Sequence, residues 1–290
     1  MRWRRRALLG AGLVGFGARA QPLPGFGGTA FMRAVTAAET LAGGRFGVAL
    51  LDSHTGLRFA SRADERFPLA STFKFILAAA ILDATESGRL GMGDAIPLAA
   101  ADLVAHAPVT GPRLGGTMRV DELCEAIMVW SDNPAANLLL ALVGGPSGLT
   151  AYARALGDAT VRLDRFETAL NEATPGDPRD TTTPAAMLAT MQHLLLGDRL
   201  RPAAREQLTQ WLLACRTGDN RIRAGLPGDW RCGNRTGGGG HGTANDIAIL
   251  WPPGRAPILV AGYVTQSTAR AEDRDAAFAA LGRAIVAGIG

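Results

Sequence analysis

Strand-like patterns occur only near the two ends of this chain, and helical periodicity fills the long stretch between them. Apolar residues at helical spacing run from Phe31 to Leu41. Two extended stretches follow, Phe46 to Leu51 and Leu57 to Arg62, joined by Ser53-His54-Thr55-Gly56 in the manner of a hairpin. Helical patterns then cover Thr72 to Asp83, Val120 to Trp130, Ala135 to Val143, Leu149 to Leu156, Pro184 to Leu196 and Pro202 to Leu213. Strand patterns return at Trp230 to Thr236, Asp246 to Trp251 and Ile258 to Thr265, before a last amphipathic helix from Asp273 to Ala287. Any sheet must therefore be closed by segments far apart in the chain. The order predicts a two-lobe α/β (α+β) fold, an antiparallel sheet flanked by helices with an all-helical lobe inserted. The sheet lobe takes residues 25–62 and 216–290, and the helical lobe residues 63–215. One long segment lacks periodicity: Arg162 to Thr183, rich in Pro, Gly, Asp and Thr. A loop of that length in a compact domain usually carries function.

The first twenty residues read as a secretory signal, to be removed from a catalytic domain of residues 21–290. A basic stretch ends at Arg6, an apolar run covers Ala7 to Gly17, and Ala18-Arg19-Ala20 fits a small-x-small cleavage site. The consecutive arginines before Ala7-Leu8-Leu9 point to twin-arginine export, and the apolar run is too short to span a membrane. Five arginines and no acid leave with this segment, which takes the formal charge from +4 to −1. The electrostatic case for a nucleic-acid partner disappears with it. The expected product is a periplasmic or secreted monomer with no membrane span. Three cysteines, Cys124, Cys215 and Cys232, cannot make a disulfide framework. Export leaves room for a Cys215 to Cys232 bridge, but buried free thiols are the expectation.

Of the 30 basic residues only Lys74 is a lysine. A composition that writes arginine wherever either cation serves has kept an amine at one place, and an amine can lose its proton where a guanidinium cannot. Lys74 lies in Ser71-Thr72-Phe73-Lys74, where the spacing puts amine and hydroxyl on one face at a helix start. An amine of lowered pKa can activate such a serine as a nucleophile, and the helix N-terminus offers N–H groups to a developing oxyanion. The bland alternative is a capping serine followed by a surface lysine. Ser131-Asp132-Asn133 lies at a helix boundary, where capping is the ordinary role; the functional one makes Ser131 a proton shuttle and Asn133 a donor to a substrate carbonyl. In the long loop, Glu167 and Asn171 are spaced to hold a water with the carboxylate as general base. Arg165 and Asp180 are placed to close its neck.

Together these elements resemble the class A serine β-lactamases, whose S-x-x-K, S-D-N and K-T-G motifs stand here as Ser71 to Lys74, Ser131 to Asn133 and Arg235-Thr236-Gly237. Glu167 to Asn171 matches the family's E-x-x-L-N loop, and the resemblance covers the whole mature chain. It implies a β-lactamase/transpeptidase-like fold, β-lactam substrates and no cofactor. Ser71 would form an acyl-enzyme, with Lys74 and Glu167 sharing its activation and Ser131 protonating the leaving nitrogen. The N–H groups of Ser71 and Gly238 would form the oxyanion hole, and Glu167 and Asn171 would position the hydrolytic water. Asn133, Thr236, Gly237, Arg221 and His106 would complete the substrate site.

The chain departs from the family pattern in places. Arg235 replaces the usual lysine, either selecting carboxylated penicillins through a two-pronged grip or following the general arginine bias. His106 stands where a tyrosine often lines the pocket. Ala244 occupies a position where some members carry the arginine that anchors the substrate carboxylate, which makes Arg221 the candidate anchor. No H-x-H-x-D pattern exists to support a zinc route. Two rivals share the serine and lysine, a penicillin-binding D,D-peptidase and a non-hydrolytic β-lactam sensor. Glu167 with Asn171 argues for the hydrolase, because only hydrolysis needs a dedicated water.

Overall fold

The computed structural model describes Phe26 and residues 28–289; the expected export signal lies outside the described residues. Helix α1 (Thr29–Ala42) leads into the hairpin β1 (Arg45–Asp52) and β2 (Arg58–Ser61), which pair antiparallel. After the short strand β3 (Phe67–Pro68), a 3₁₀ turn at Ala70–Thr72 opens helix α2 (Phe73–Glu86). Strands β4 (Ala95–Pro97) and β5 (Thr117–Arg119) form a small ladder ahead of helices α3 (Val120–Glu125), α4 (Asn133–Leu142) and α5 (Gly145–Ala155). Strand β6 (Thr181–Thr182) returns to pair with β3, and helices α6 (Pro184–Leu195) and α7 (Pro202–Leu213) finish the helical block. The chain ends with β7 (Arg231–Gly239), β8 (Thr243–Trp251), β9 (Ile258–Thr265) and α8 (Ala271–Gly288).

The main sheet has the order β2-β1-β9-β8-β7, and every neighbour is antiparallel. The N-terminal hairpin is joined to the C-terminal strands by pairing of β1 with β9, so the sheet is built from both chain ends. Alternation along a strand sends side chains to opposite faces. On β1, Phe46, Val48 and Leu50 pack with α1 and α8, whereas Ala49 and Leu51 join the apolar cluster shared with the helical block. Both faces are covered, which is why β1, β8 and β9 read as near-continuous apolar runs.

Helix α2 is the axis of the helical block. All its residues from Phe73 to Leu82 are buried, as expected of a helix that is apolar all round. Lys74 sits in its first turn and is buried with the rest. Three expectations are adjusted. The helix foreseen over Val120 to Trp130 stops at Glu125 and continues as a π-helical turn, Ala126–Trp130. The strand foreseen over Trp230 to Thr236 extends to Gly239, and its partner begins at Thr243 rather than Asp246. The long loop contains a 3₁₀ turn, Ala169–Asn171, and ends in β6. All three cysteines are free and buried. Among the described residues no helix is long and apolar enough to cross a membrane.

Candidate active site

Four pieces of chain converge on the first turn of α2. The 3₁₀ turn presents Ser71, and the chain before it is held by Asn245 of β8, whose Nδ2 donates to the main-chain oxygens of Pro68 (2.9 Å) and Leu69 (3.0 Å). The π-helical turn places Ser131 at its end with a left-handed backbone, φ 64°. Such turns insert one residue into the helical repeat and redirect the chain beyond them. Here Ser131 and Asn133 are both aimed at Lys74. Asp132 points the other way: its Oδ1 accepts from Ala135 N (3.0 Å) and Thr110 Oγ1 (2.8 Å), and its Oδ2 from Val109 N and Thr110 N (both 2.9 Å). It caps α4 and secures the loop that carries His106, as the capping chemistry of the motif predicts.

The long loop brings Glu167. Its neck is closed by Asp180, whose Oδ2 accepts from Arg165 Nε at 2.6 Å, and whose Oδ1 accepts from the main-chain N–H groups of Asp164 and Arg165. Asn137 of α4 grips Glu167 at both backbone groups, accepting from its N–H at 2.9 Å and donating to its carbonyl at 3.0 Å. The Glu167 carboxylate is thereby fixed 3.1 Å from Lys74 Nζ, and its second oxygen accepts from Asn171 Nδ2 at 2.5 Å. Glu167 Oε1 faces the Lys74 ammonium, whereas Asn171 Oδ1 is a buried acceptor with no protein hydrogen-bond donor.

Lys74 Nζ is the centre of this arrangement. It donates toward Asn133 Oδ1 (2.6 Å), Ser131 O (2.8 Å), Ser71 Oγ (3.2 Å) and Ser131 Oγ (3.3 Å). Its pKa is lowered to about 8, chiefly by burial, which the charge of Glu167 opposes and that of Arg235 reinforces. A change from 10.5 to about 8 makes the charged form about 3 kcal/mol less favourable than in water. An amine so placed exists in both protonation states near neutrality.

Arg235, on β7, is wholly buried. Its Nη2 donates to Ser131 Oγ, and its Nη1 to Thr217 Oγ1 at 3.1 Å and toward Cys215 Sγ at 3.9 Å. Burial lowers its pKa, an effect the Cys215 sulfur opposes. Both terminal nitrogens are committed, so the two-pronged grip on a substrate carboxylate is not the geometry found. The cleft, of about 310 Å³, is lined by Ser71, Ser131 and Asn133, by His106 and Asn171, and by Thr217, Arg221 and the β7 residues Thr236, Gly237 and Gly238. Arg221 reaches it with Nη1 donating to Gly237 O (2.9 Å) and Asn245 O (2.6 Å). His106 lies at the exposed rim, where Nε2 is 3.0 Å from Trp130 O. Asn133 spends one amide proton on Ala105 O (2.8 Å), which leaves the other for a ligand.

Thr217 and Asn137 were not singled out as functional by sequence reasoning. Thr217 Oγ1 is 2.5 Å from Thr236 Oγ1 and receives Arg235. Its only signal is proximity across nineteen residues of chain, which spacing does not reveal. Asn137 carried no signal beyond its place on α4.

The glycines of β7 answer to close packing. A Cβ on Gly237 would lie 3.2 Å from Ala70 Cβ and from Leu69 O, against the turn that holds Ser71, and one on Gly239 would lie 2.8 Å from Asn171 O. A Cβ on Gly238 would meet nothing closer than Thr243 O at 3.9 Å. Gly239→Ala therefore displaces the loop carrying Asn171 and Glu167, with an expected loss of about tenfold or more in turnover, since misplacements near 1 Å have such effects. Gly238→Ala should stay within about threefold of the parent. Steady-state kinetics on the two variants checks this, and equal losses would contradict it.

Known proteins resemble this chain over most of its length. Residues 30–289 match the model of a family described as the beta-lactamase enzyme family. The chain is 50% identical to Beta-lactamase AST-1 of Nocardia asteroides over 87% of its own length and 81% of that protein. It is 48% identical to Beta-lactamase L2 of Stenotrophomonas maltophilia over 85% and 82% of the two chains. Among solved structures, the class A β-lactamase of the last common ancestor of Gram-negative bacteria superposes with a TM-score of 0.88 at 55% identity, covering 90% of this chain and all of that one. A β-lactamase from Xanthomonas campestris gives 0.88 at 51% identity, over 90% and 97%.

Proposed function

The chain belongs to the beta-lactamase enzyme family, and from that membership we propose that it hydrolyses the lactam amide of penicillins and cephalosporins through an acyl-enzyme on Ser71, conferring resistance to them. The observation that carries the residue assignment is the single amine that bridges nucleophile and carboxylate: Lys74 Nζ is 3.2 Å from Ser71 Oγ and 3.1 Å from Glu167 Oε1.

In the first half-reaction Ser71 Oγ attacks the lactam carbonyl, and its proton passes to neutral Lys74 or, through a water, to Glu167. The N–H groups of Ser71 and Gly238 receive the oxyanion. The carbonyl carbon to nitrogen bond then breaks, and the nitrogen takes a proton from Ser131. Ser131 Oγ accepts from two cations, Arg235 Nη2 and Lys74 Nζ, so its own proton is directed away from both. Lys74 replaces that proton, and where Glu167 took the first one it passes it to Lys74 across their 3.1 Å contact, so that both start the second half-reaction as they began. In the second half-reaction Glu167 removes a proton from a water held with Asn171, the resulting hydroxide attacks the ester, and Ser71 leaves with a proton. Glu167 beside Asn171, whose Oδ1 is a buried acceptor with no protein donor, supports that water's position. The same pair argues against a D,D-peptidase or a sensor, in which the acyl-enzyme has to resist water.

Arg221 and Thr236 are assigned to the substrate carboxylate, Asn133 to the acyl side-chain carbonyl and His106 to the rim. Arg235 acts through Ser131 and Thr217, and adds positive potential behind the pocket wall.

With Glu167→Ala, acylation survives and deacylation stops, so mass spectrometry should find a stable adduct on Ser71, whereas the parent turns over a chromogenic cephalosporin continuously. Removing Glu167 also removes the charge that raises the Lys74 pKa. The alkaline rise of the acylation rate in the variant should therefore be centred below pH 8. A variant that turns over unchanged, or a rise displaced upward, contradicts the assignment.

The same reading makes the enzyme an exported monomer, cleaved after Ala20 into the periplasm or medium. N-terminal sequencing of the exported protein and its elution volume in size-exclusion chromatography check this. A retained leader or a dimer mass is the contrary result.

A further inference from the structure

Arg221 meets the pocket from a short turn rather than from the sheet, and the turn is held from beneath. Arg221 caps the 3₁₀ turn Ile222–Gly225. Its guanidinium donates Nε to Asp275 Oδ1 at 2.8 Å, besides the two main-chain bonds that aim it at the cleft. The next residue, Ile222, is buried and donates its N–H to Asp246 Oδ2 at 3.1 Å. Asp246 lies on β8 and is fully buried. Asn234, across the ladder on β7, donates Nδ2 to Asp246 Oδ1 (3.0 Å) and Oδ2 (3.3 Å). Asn234 Oδ1 in turn accepts from Arg223 Nη2 at 3.0 Å. Asp246 thus holds Ile222 directly and Arg223 through Asn234, the two residues that follow Arg221 in the turn. The packing is tight: a Cβ on Gly218 would lie 1.9 Å from Asn234 Nδ2.

Asp246 makes no contact ion pair, and leaving a carboxylate in such a place is costly. Its pKa is raised to about 7, burial outweighing the charge of Arg221, the strongest influence in the other direction. A neutral acceptor would satisfy the Ile222 N–H at lower desolvation cost. What the carboxylate adds is a negative charge beneath Arg221 and Arg223, in register with the turn.

We propose that Asp246 is a positioning residue for substrate binding: through the Ile222 N–H and the Asn234 to Arg223 link it sets the Arg221 guanidinium toward the substrate carboxylate. The proposal rests on Arg221 being the carboxylate anchor.

The test measures KM and kcat for a penicillin on D246A, R221A, D246A/R221A and N234D/D246N, each checked for folding by a thermal melt. The exchange N234D/D246N keeps an acceptor for the Ile222 N–H, a donor and acceptor facing each other between the strands, and an acceptor for Arg223. Asp246→Ala should raise KM about tenfold, the scale of one lost charge-assisted hydrogen bond, with kcat within about twofold. In the R221A background the same change should move KM less than about twofold, because its route is already gone. The exchange should return KM to within about threefold of the parent. Equal losses in kcat and KM, additive KM effects in the double variant, or a folded exchange variant with a tenfold raised KM each overturn the proposal. If R221A alone leaves KM unmoved, the anchor reading itself fails; if R221A raises KM and D246A does not, only the role of Asp246 fails.

Discussion

The ammonium of Lys74 has no access to water, and the architecture around it follows from the need to answer that charge. It sits on a helix that is buried all round, so its neighbours must come from other parts of the chain. The π-helical turn supplies Ser131 and Asn133, the long loop supplies Glu167, and the α2 turn supplies Ser71. Arg235 adds a second buried cation, whose charge opposes the pull of Glu167 and of the buried Asp132 on the amine. Burial above all, with Arg235 beside it, keeps the amine close to losing its proton. It also means that removing Glu167 leaves a charge uncompensated in a buried place, a situation with costs of about 3–5 kcal/mol in other proteins.

Much of this was legible in the chain. The placing of strands at both ends requires a sheet closed between them, and β1 does pair with β9. The lone lysine marks the one position where a titratable amine is wanted, and the residues three before it, at 131 and at 167 all meet it. The rest depended on contacts that spacing does not encode. The sequence leaves Arg235 open between a grip on a substrate carboxylate and a plain stand-in for lysine; its burial on β7 gives its nitrogens to Ser131 and Thr217. The roles of Thr217, Asn137 and Asp246 arise from pairings between segments remote in sequence.

The glycine-rich end of β7 ties these parts together. It passes between the turn that carries Ser71 and the loop that carries Glu167 and Asn171, and Gly240 N donates to Asn171 O at 2.8 Å. Bare backbone lets a strand approach both at once. The edge strand thereby sets the distance between the nucleophile and the groups assigned to hydrolysis, and Gly237 of the same strand receives the Arg221 guanidinium at the cleft.

Burial and a neighbouring guanidinium keep Lys74 poised between charge states, and its titration can be followed alone because the chain contains no other lysine. Lysine labelled with ¹⁵N at Nζ or ¹³C at Cε gives one side-chain signal whose chemical shift titrates with that amine alone. The account predicts a midpoint near pH 8 in the folded enzyme. A midpoint at or above the 10.5 of an ordinary lysine would contradict it.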